Sequence, residues 1–291
     1  TRVGARGQVR RIWRFLRQVH REFLRDNCTL MAAAISFYAL LSLIPLLLVG
    51  LSAFGYVLGR ERAAVVVFEF LDQLLPKQFG GEVVRHYVTA RVIKPAGFVG
   101  ALGLVSWIWA GSVCCRTVTE ALDIAWASAR RRGFIAGRLN SMGMMLAVGL
   151  LVLLSFGITQ GMKIVQGFHI PIVGWSPGQI PFVWQVVGWA IPATLSVLVF
   201  VLCYAVLPGR RIGWRHALLG GLVAGVLWDL AKQGFAIYVA NFVHYDRIYG
   251  SLAGLVILVM WVYYSAVILL VGGEIASVSA EWPSGSRRPK A

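Results

Sequence analysis

Residues Asn27 to Gly50 read NCTLMAAAISFYALLSLIPLLLVG. The run is longer than the about 20 apolar residues that a helix needs to cross about 30 Å of hydrocarbon, yet it keeps Tyr38, Ser42 and Pro45 and opens on Asn27. Lipid offers no partner to an amide or a hydroxyl. On a helical wheel Asn27, Ala34, Tyr38, Ser42 and Pro45 share one narrow arc, whereas Ile35, Leu46 and Leu47 lie elsewhere. The expectation is a membrane span whose polar face turns into a bundle and whose remaining surface suits lipid. Pro45 is expected to kink it where neighbours can satisfy the freed carbonyl. Dry packing and a solvated cavity both remain open for that interior.

The rest of the chain repeats this pattern. Of 291 residues, 58% are hydrophobic and 14% charged, and the apolar residues come in blocks rather than in alternation. Blocks of spanning length lie near 30–54, 95–118, 141–160, 182–207, 217–241 and 251–277, which predicts an all-α polytopic bundle of six transmembrane helices over residues 27–280. Segment 1–26 reads as a basic cytoplasmic helix and 281–291 as a cytoplasmic tail. The formal charge of +16 would suggest nucleic acid in a soluble chain, but here its placement decides. Arginines crowd the segment before the first span, the 130–138 and 210–215 links and the tail, while the opposite short loops hold only Lys163 and Arg247. The positive-inside rule then places both termini in the cytoplasm.

A cleavable signal peptide is not expected, because the first apolar block is too long and no small-residue cleavage site follows it. The chain opens on Thr1, so upstream trimming is left open. The four cysteines, Cys28, Cys114, Cys115 and Cys203, show no disulfide or zinc spacing and read as reduced, buried thiols.

Residues 5–25 have helical period. Val9, Ile12, Leu16, Val19 and Phe23 recur at steps of three and four, and Arg10, Arg14, Arg17 and Arg21 do the same on the opposite face. Such a helix is expected to lie in the membrane interface with its arginines toward anionic headgroups. Packing as a solvated helix on cytoplasmic loops is the alternative. Segment 61–94 reads as two short periplasmic amphipathic helices joined at Pro76 to Gly81. Its Glu82–His86 pair lacks a third ligand, so no metal is expected.

Ionisable groups inside the spans are the candidate functional residues. On the fifth span Gly221, Gly225, Asp229, Lys232 and Ala236 share a side, with two small residues for close approach and an acid and base able to pair at i, i+3. A structural ion pair and a polar substrate cavity are both open readings. At the end of the second span Arg116, Glu120 and Asp123 share a face and could form a charged network or snorkel at the interface. The last span has a small-residue side, Gly254, Trp261, Ser265 and Gly272, and closes on Glu274, where a carboxylate near the cytoplasmic end is inexpensive.

The motif Ala34-x-x-Phe37-Tyr38-x-Leu40-x-Ser42-Leu43-x-Pro45, the stretch PGRRIGWRHALLGGLVAGVLWDLAKQGFAIYVANF, Tyr249-Gly250-Ser251-Leu252 and Gly272-x-Glu274 occur in an order that resembles the YihY/BrkB family of bacterial inner-membrane proteins. The resemblance spans roughly residues 10–282. It implies six helices in the inner membrane, a link to virulence and serum resistance and, for some members, to export of envelope lipid. The family has also carried a ribonuclease label, which this sequence does not support: no cluster of carboxylates and histidines could hold two metals, and no soluble region is large enough for RNA. The expected function is a transporter or flippase-like exporter of a lipid or other amphiphile. Its alternatives are a non-transporting scaffold and a small-solute transporter. Membrane lipids are the expected partners and self-association is open; no cofactor, metal, nucleic acid or enzymatic role is expected.

Overall fold

The computed structural model describes residues 2–59, 96–126, 181–209, 213–242 and 253–281, with parts of 65–69 and 139–161. Regular structure among them is helical: α1 (Arg2–Arg25), α2 (Cys28–Leu58), α3 (Ala96–Ala125), α4 (Pro181–Val206), α5 (Trp214–Phe242) and α6 (Ala253–Glu281). Four stretches, Cys28–Val49, Val186–Val206, Trp214–Val239 and Gly254–Glu281, are long and apolar enough to cross a membrane. The block expected near 141–160 contains a shorter apolar helix, Met142–Ser155. That expected near 95–118 lies in α3, which runs on through Arg116, Glu120 and Asp123 before it stops. The expected surface helices of 61–94, with Glu82 and His86, fall outside the described residues apart from 65, 66 and 69.

The helices are long because an apolar run of this length satisfies its backbone within itself. Serines and threonines return their hydroxyls to the preceding turn, as Ser36 does to the Ala32 carbonyl at 2.6 Å and Ser42 to that of Ala39 at 2.8 Å. That answers how α2 can carry hydroxyls through an apolar medium. The helix also continues through Pro45, and α3 offers Gly103 there, close against Leu48 and the Pro45 carbonyl.

α2 lies along α3, α4 along α5, and α6 joins the two pairs through contacts with α5 and α2. The junction of α1 with α2, the ends of α3, α4 and α6 and the start of α5 gather at one end, tied by cross-helix bonds. The most deeply buried large side chains, among them Leu122, Trp126, Val201, Tyr204, Leu207, Leu270 and Glu274, belong to this end. Glycines set the helix spacing: Gly221 and Gly225 of α5 face Val201 and Val197 of α4, and Gly220 faces Gly272 of α6.

Asn27 takes a different part from the one its wheel position suggested. It is exposed and forms the break between α1 and α2, with φ 51° and ψ 39° and no side-chain cap bond. Asn is among the few residues that tolerate this left-handed conformation. The buried face of α2 starts one position later, at Cys28, Ala32, Ile35 and Ser36. It adjoins the arc of Tyr38, Ser42 and Pro45, which are half-buried, and is centred about a quarter-turn from it. Ile35 points inward, contrary to expectation, in one buried cluster with Cys28 and Ala32. Asn27→Gly is expected to leave thermal stability of the purified protein within about 0.5 kcal/mol, and Asn27→Val to lower it by about 1–2 kcal/mol.

Candidate functional site

Two polar positions stand out within the helices. The first is at the closed end. Glu274, in the penultimate turn-and-a-half of α6, is 0% exposed. The Cys28 thiol donates toward its Oε1 at 3.5 Å. Around it Trp126 Nε1 donates to the Gly273 carbonyl at 2.8 Å, Ser277 Oγ to the Ala125 carbonyl at 2.9 Å and the Tyr204 hydroxyl to the Leu269 carbonyl at 2.7 Å. These bonds bind α6 to α2, α3 and α4 in one knot. The expectation that Glu274 sits cheaply near the surface is therefore corrected. α6 is surrounded by α1, α2, α3 and α5 over its last turns, so proximity to a helix end does not bring it to water. The neighbouring Gly272, Gly273 and Ala276 were the signal in the sequence: they mark a helix end built for close approach.

The second position is on α5. Lys232 Nζ and Asp229 Oδ1 are 2.7 Å apart, and the two side chains are 28% and 16% exposed. Asp229 lies fifteen residues beyond Trp214, roughly 22 Å along the helix at 1.5 Å per residue. Gly221 lies against Val201 and Gly225 against Val197; carried forward by the helical repeat, that antiparallel register puts Asp229 opposite Ala193 and Lys232 opposite Ala190 of α4. Those partners are small. Pro192 lies between them and supplies no amide hydrogen to the Gly188 carbonyl one turn back. Ser196 and Thr194 return their hydroxyls to the carbonyls of Pro192 and Ala190. On that register the ion pair lies toward a stretch of α4 that holds Ala190, Pro192 and Ala193.

The face of α3 divides. Arg116 Nε and Glu120 Oε1 pair at 2.8 Å, both 60% exposed, while Asp123 Oδ1 accepts the Gly209 amide at 2.7 Å. Among the described residues the link after α4 thus meets Asp123, at Gly209. Leu207 and Pro208 of that link are buried. Arg10, Arg14, Arg17 and Arg21 are all exposed on α1. Among the described residues no three His, Cys, Asp or Glu side chains are grouped so as to hold a metal.

An aromatic series runs from the knot toward the other end of the bundle. Trp126 meets Tyr204, Tyr204 stacks on Phe200, Phe200 meets Trp228, Trp228 meets Trp261, and Trp261 meets Phe235, with centroid separations of 5.1–6.4 Å. Sequence reading picked out Trp261 but not the series. It is assembled from four helices, and no single helix shows it.

Residues 19–291 match the family model described as virulence factor BrkB. The chain belongs to the BrkB family. Relatives include a UPF0761 membrane protein of Alkalilimnicola ehrlichii, 31% identical over 93% of this chain and 59% of its own length. Another, from Nitrosospira multiformis, is 29% identical over 92% of this chain and 61% of the relative. A third, from Photobacterium profundum, is 30% identical over 94% and 84%. The chain spans about three fifths of the length of the first two. No solved structure matches it. With the BrkB family established, the quoted motifs acquire places: Gly272-x-Glu274 closes the knot, Phe37 is exposed beside half-buried Tyr38, and Tyr249 to Leu252 lie outside the described residues. The chain is thus an integral membrane protein of helical architecture.

Proposed function

We propose that this BrkB-family chain crosses a bacterial inner membrane six times with both termini in the cytoplasm, and that it moves a lipid or another amphiphilic envelope molecule. One observation carries the reading: the half-buried Asp229–Lys232 pair, about 22 Å along a span. Ions at such depth usually pair with each other or line a path for a polar group. This pair does the first, and in this reading a parting of α5 from the proline-interrupted stretch of α4 would let it do the second. The positive-inside bias supports the orientation, since the described ends that face the arginine-rich links all gather at the knot. The reading is non-enzymatic, with no cofactor.

The test is movement of fluorescent phospholipid and lipid-A-like analogues across sealed proteoliposomes. Wild type is expected to move one of them. Asp229→Asn is expected to reduce that rate at least about tenfold, the loss of roughly one charge-assisted contact, while eluting as wild type in size-exclusion chromatography. Equal rates with and without protein would overturn the lipid reading. Transport unchanged by Asp229→Asn would remove the pair from the path. A scaffold reading predicts altered stability or partner binding in that variant and no flux to lose.

A further inference from the structure

α1 is a helix with three faces rather than the two that its sequence suggests. Val19 is buried against Ile275 and Val278 of α6, with Phe15 and Val223 of α5 closing the same cluster, and Phe23 packs at the edge of the main core. Phe15, Val19 and Phe23 are four residues apart, so they form one stripe, and buried Asp26 continues it to the Asn27 break. That stripe fastens the second half of α1 to the bundle. Trp13, Leu16 and Leu24 belong to an adjoining face, and Ile12 lies in line with the stripe but ahead of its packed half; each is about half or more exposed, Trp13 reaching 62%. Arg10, Arg14, Arg17 and Arg21 form the third face, all exposed. The Arg17 guanidinium lies over the Trp13 ring at 5.9 Å, at the border of the apolar and basic faces.

The expected apolar stripe of Ile12, Leu16, Val19 and Phe23 is thus split. Part of it is spent on protein and part is left open beside a row of cations. Protein contact accounts for the first part only. At the start of α5, which the Val19 cluster touches through Val223, Trp214, Leu218 and Leu219 are exposed in the same way, with exposed Arg215 next to Trp214. Two neighbouring helices therefore present an apolar surface, a tryptophan and arginines at the same end of the bundle. Tryptophan and arginine in this combination suit the boundary between acyl chains and headgroups.

We propose that α1 is a monotopic anchor that binds anionic phospholipid of the leaflet at the knot end. Ile12, Trp13, Leu16 and Leu24 enter the acyl region, and Arg10, Arg14, Arg17 and Arg21 hold headgroup phosphates. The charge row selects this occupant: an apolar cover alone would serve a second copy of the chain, but a copy would bring its own arginines against these. The inference does not depend on transport, because it concerns where the helix rests and on which lipid.

The test places a benzophenone amino acid at Leu16 in the full chain, reconstituted in nanodiscs of equal phosphatidylcholine and phosphatidylglycerol, and reads the intact mass after irradiation. Lipid adducts are expected at Leu16, with phosphatidylglycerol favoured over phosphatidylcholine by roughly fivefold. Replacing Arg10, Arg14, Arg17 and Arg21 with glutamine should bring the two lipids to parity at Leu16. The same probe at Leu222, an exposed apolar position of α5, should be unaffected by those changes and shows that the bundle is intact. Adducts to a second polypeptide would replace the bilayer with a protein partner. Absence of any lipid adduct at Leu16 would overturn the anchor, and adducts without lipid preference in the wild type would overturn the anionic selectivity.

Discussion

Gly220→Leu is expected to abolish recovery of monodisperse protein, or to lower its melting temperature by roughly 6–12 °C, the equivalent of about 3 kcal/mol. A Cβ at Gly220 would lie 2.5 Å from the carbonyl oxygen of Gly272 and 2.8 Å from the Ala276 Cβ. The first obstacle is backbone, so no rotamer change relieves it; α5 and α6 must separate. Separation would in turn loosen the neighbouring contact of Gly272 with Tyr204 and Ala224. The contrast lies in the same helix. Gly234 has no atom near the place where its Cβ would be, so Gly234→Ala should be neutral or stabilise by about 0.5–1 kcal/mol through the lower entropy of the unfolded backbone. Thermal unfolding in detergent, followed by size-exclusion chromatography, reads both. A Gly220→Leu protein as stable as wild type would show that α5 and α6 do not cross at these glycines.

Trp126→Ala is expected to be of similar severity, at about 3–5 kcal/mol. The indole is 1% exposed, meets the edge of Tyr204 and donates its only hydrogen to the Gly273 carbonyl at 2.8 Å. Truncation would leave a void between α3, α4 and α6 at the point where they are tied. Trp126→Phe keeps most of the volume and loses the hydrogen bond, so about 1 kcal/mol is expected from that loss. Equal effects of the two substitutions would mean that the bond, not the packing, holds this end. The knot is distinct from the Asp229–Lys232 position, so a partly active but unstable Trp126→Phe and a stable but inactive Asp229→Asn would separate fold from proposed function.

Much of the architecture was legible because membrane solvent imposes it locally. Twenty apolar residues in a row must satisfy their own backbone, and they do so as helices. α2, α4, α5 and α6 accordingly lie within a few residues of the blocks that announced them. The Asp229–Lys232 pair was legible for the same reason, since i, i+3 spacing on a helix brings the two side chains together without help from any other element. So was the use of Gly221 and Gly225 for close approach.

Orientation about each helix axis was another matter. α2 turns Cys28, Ala32 and Ile35 inward rather than the arc of Asn27, Tyr38 and Ser42. The hydroxyls of Ser36 and Ser42 are satisfied within their own helix, so their polarity exerts little torque on it. Glu274 and Cys28 are 246 positions apart and Trp126 and Gly273 are 147 apart, so nothing local joins them. By itself the sequence determined which segments are helices, where charge collects and which neighbours along a helix pair, because those depend on solvent and on the helical repeat. Only the tertiary structure decided which face is buried, that Glu274 is enclosed and that α1 divides its apolar residues between protein and an open surface, because each depends on which small side chains let two distant helices come close.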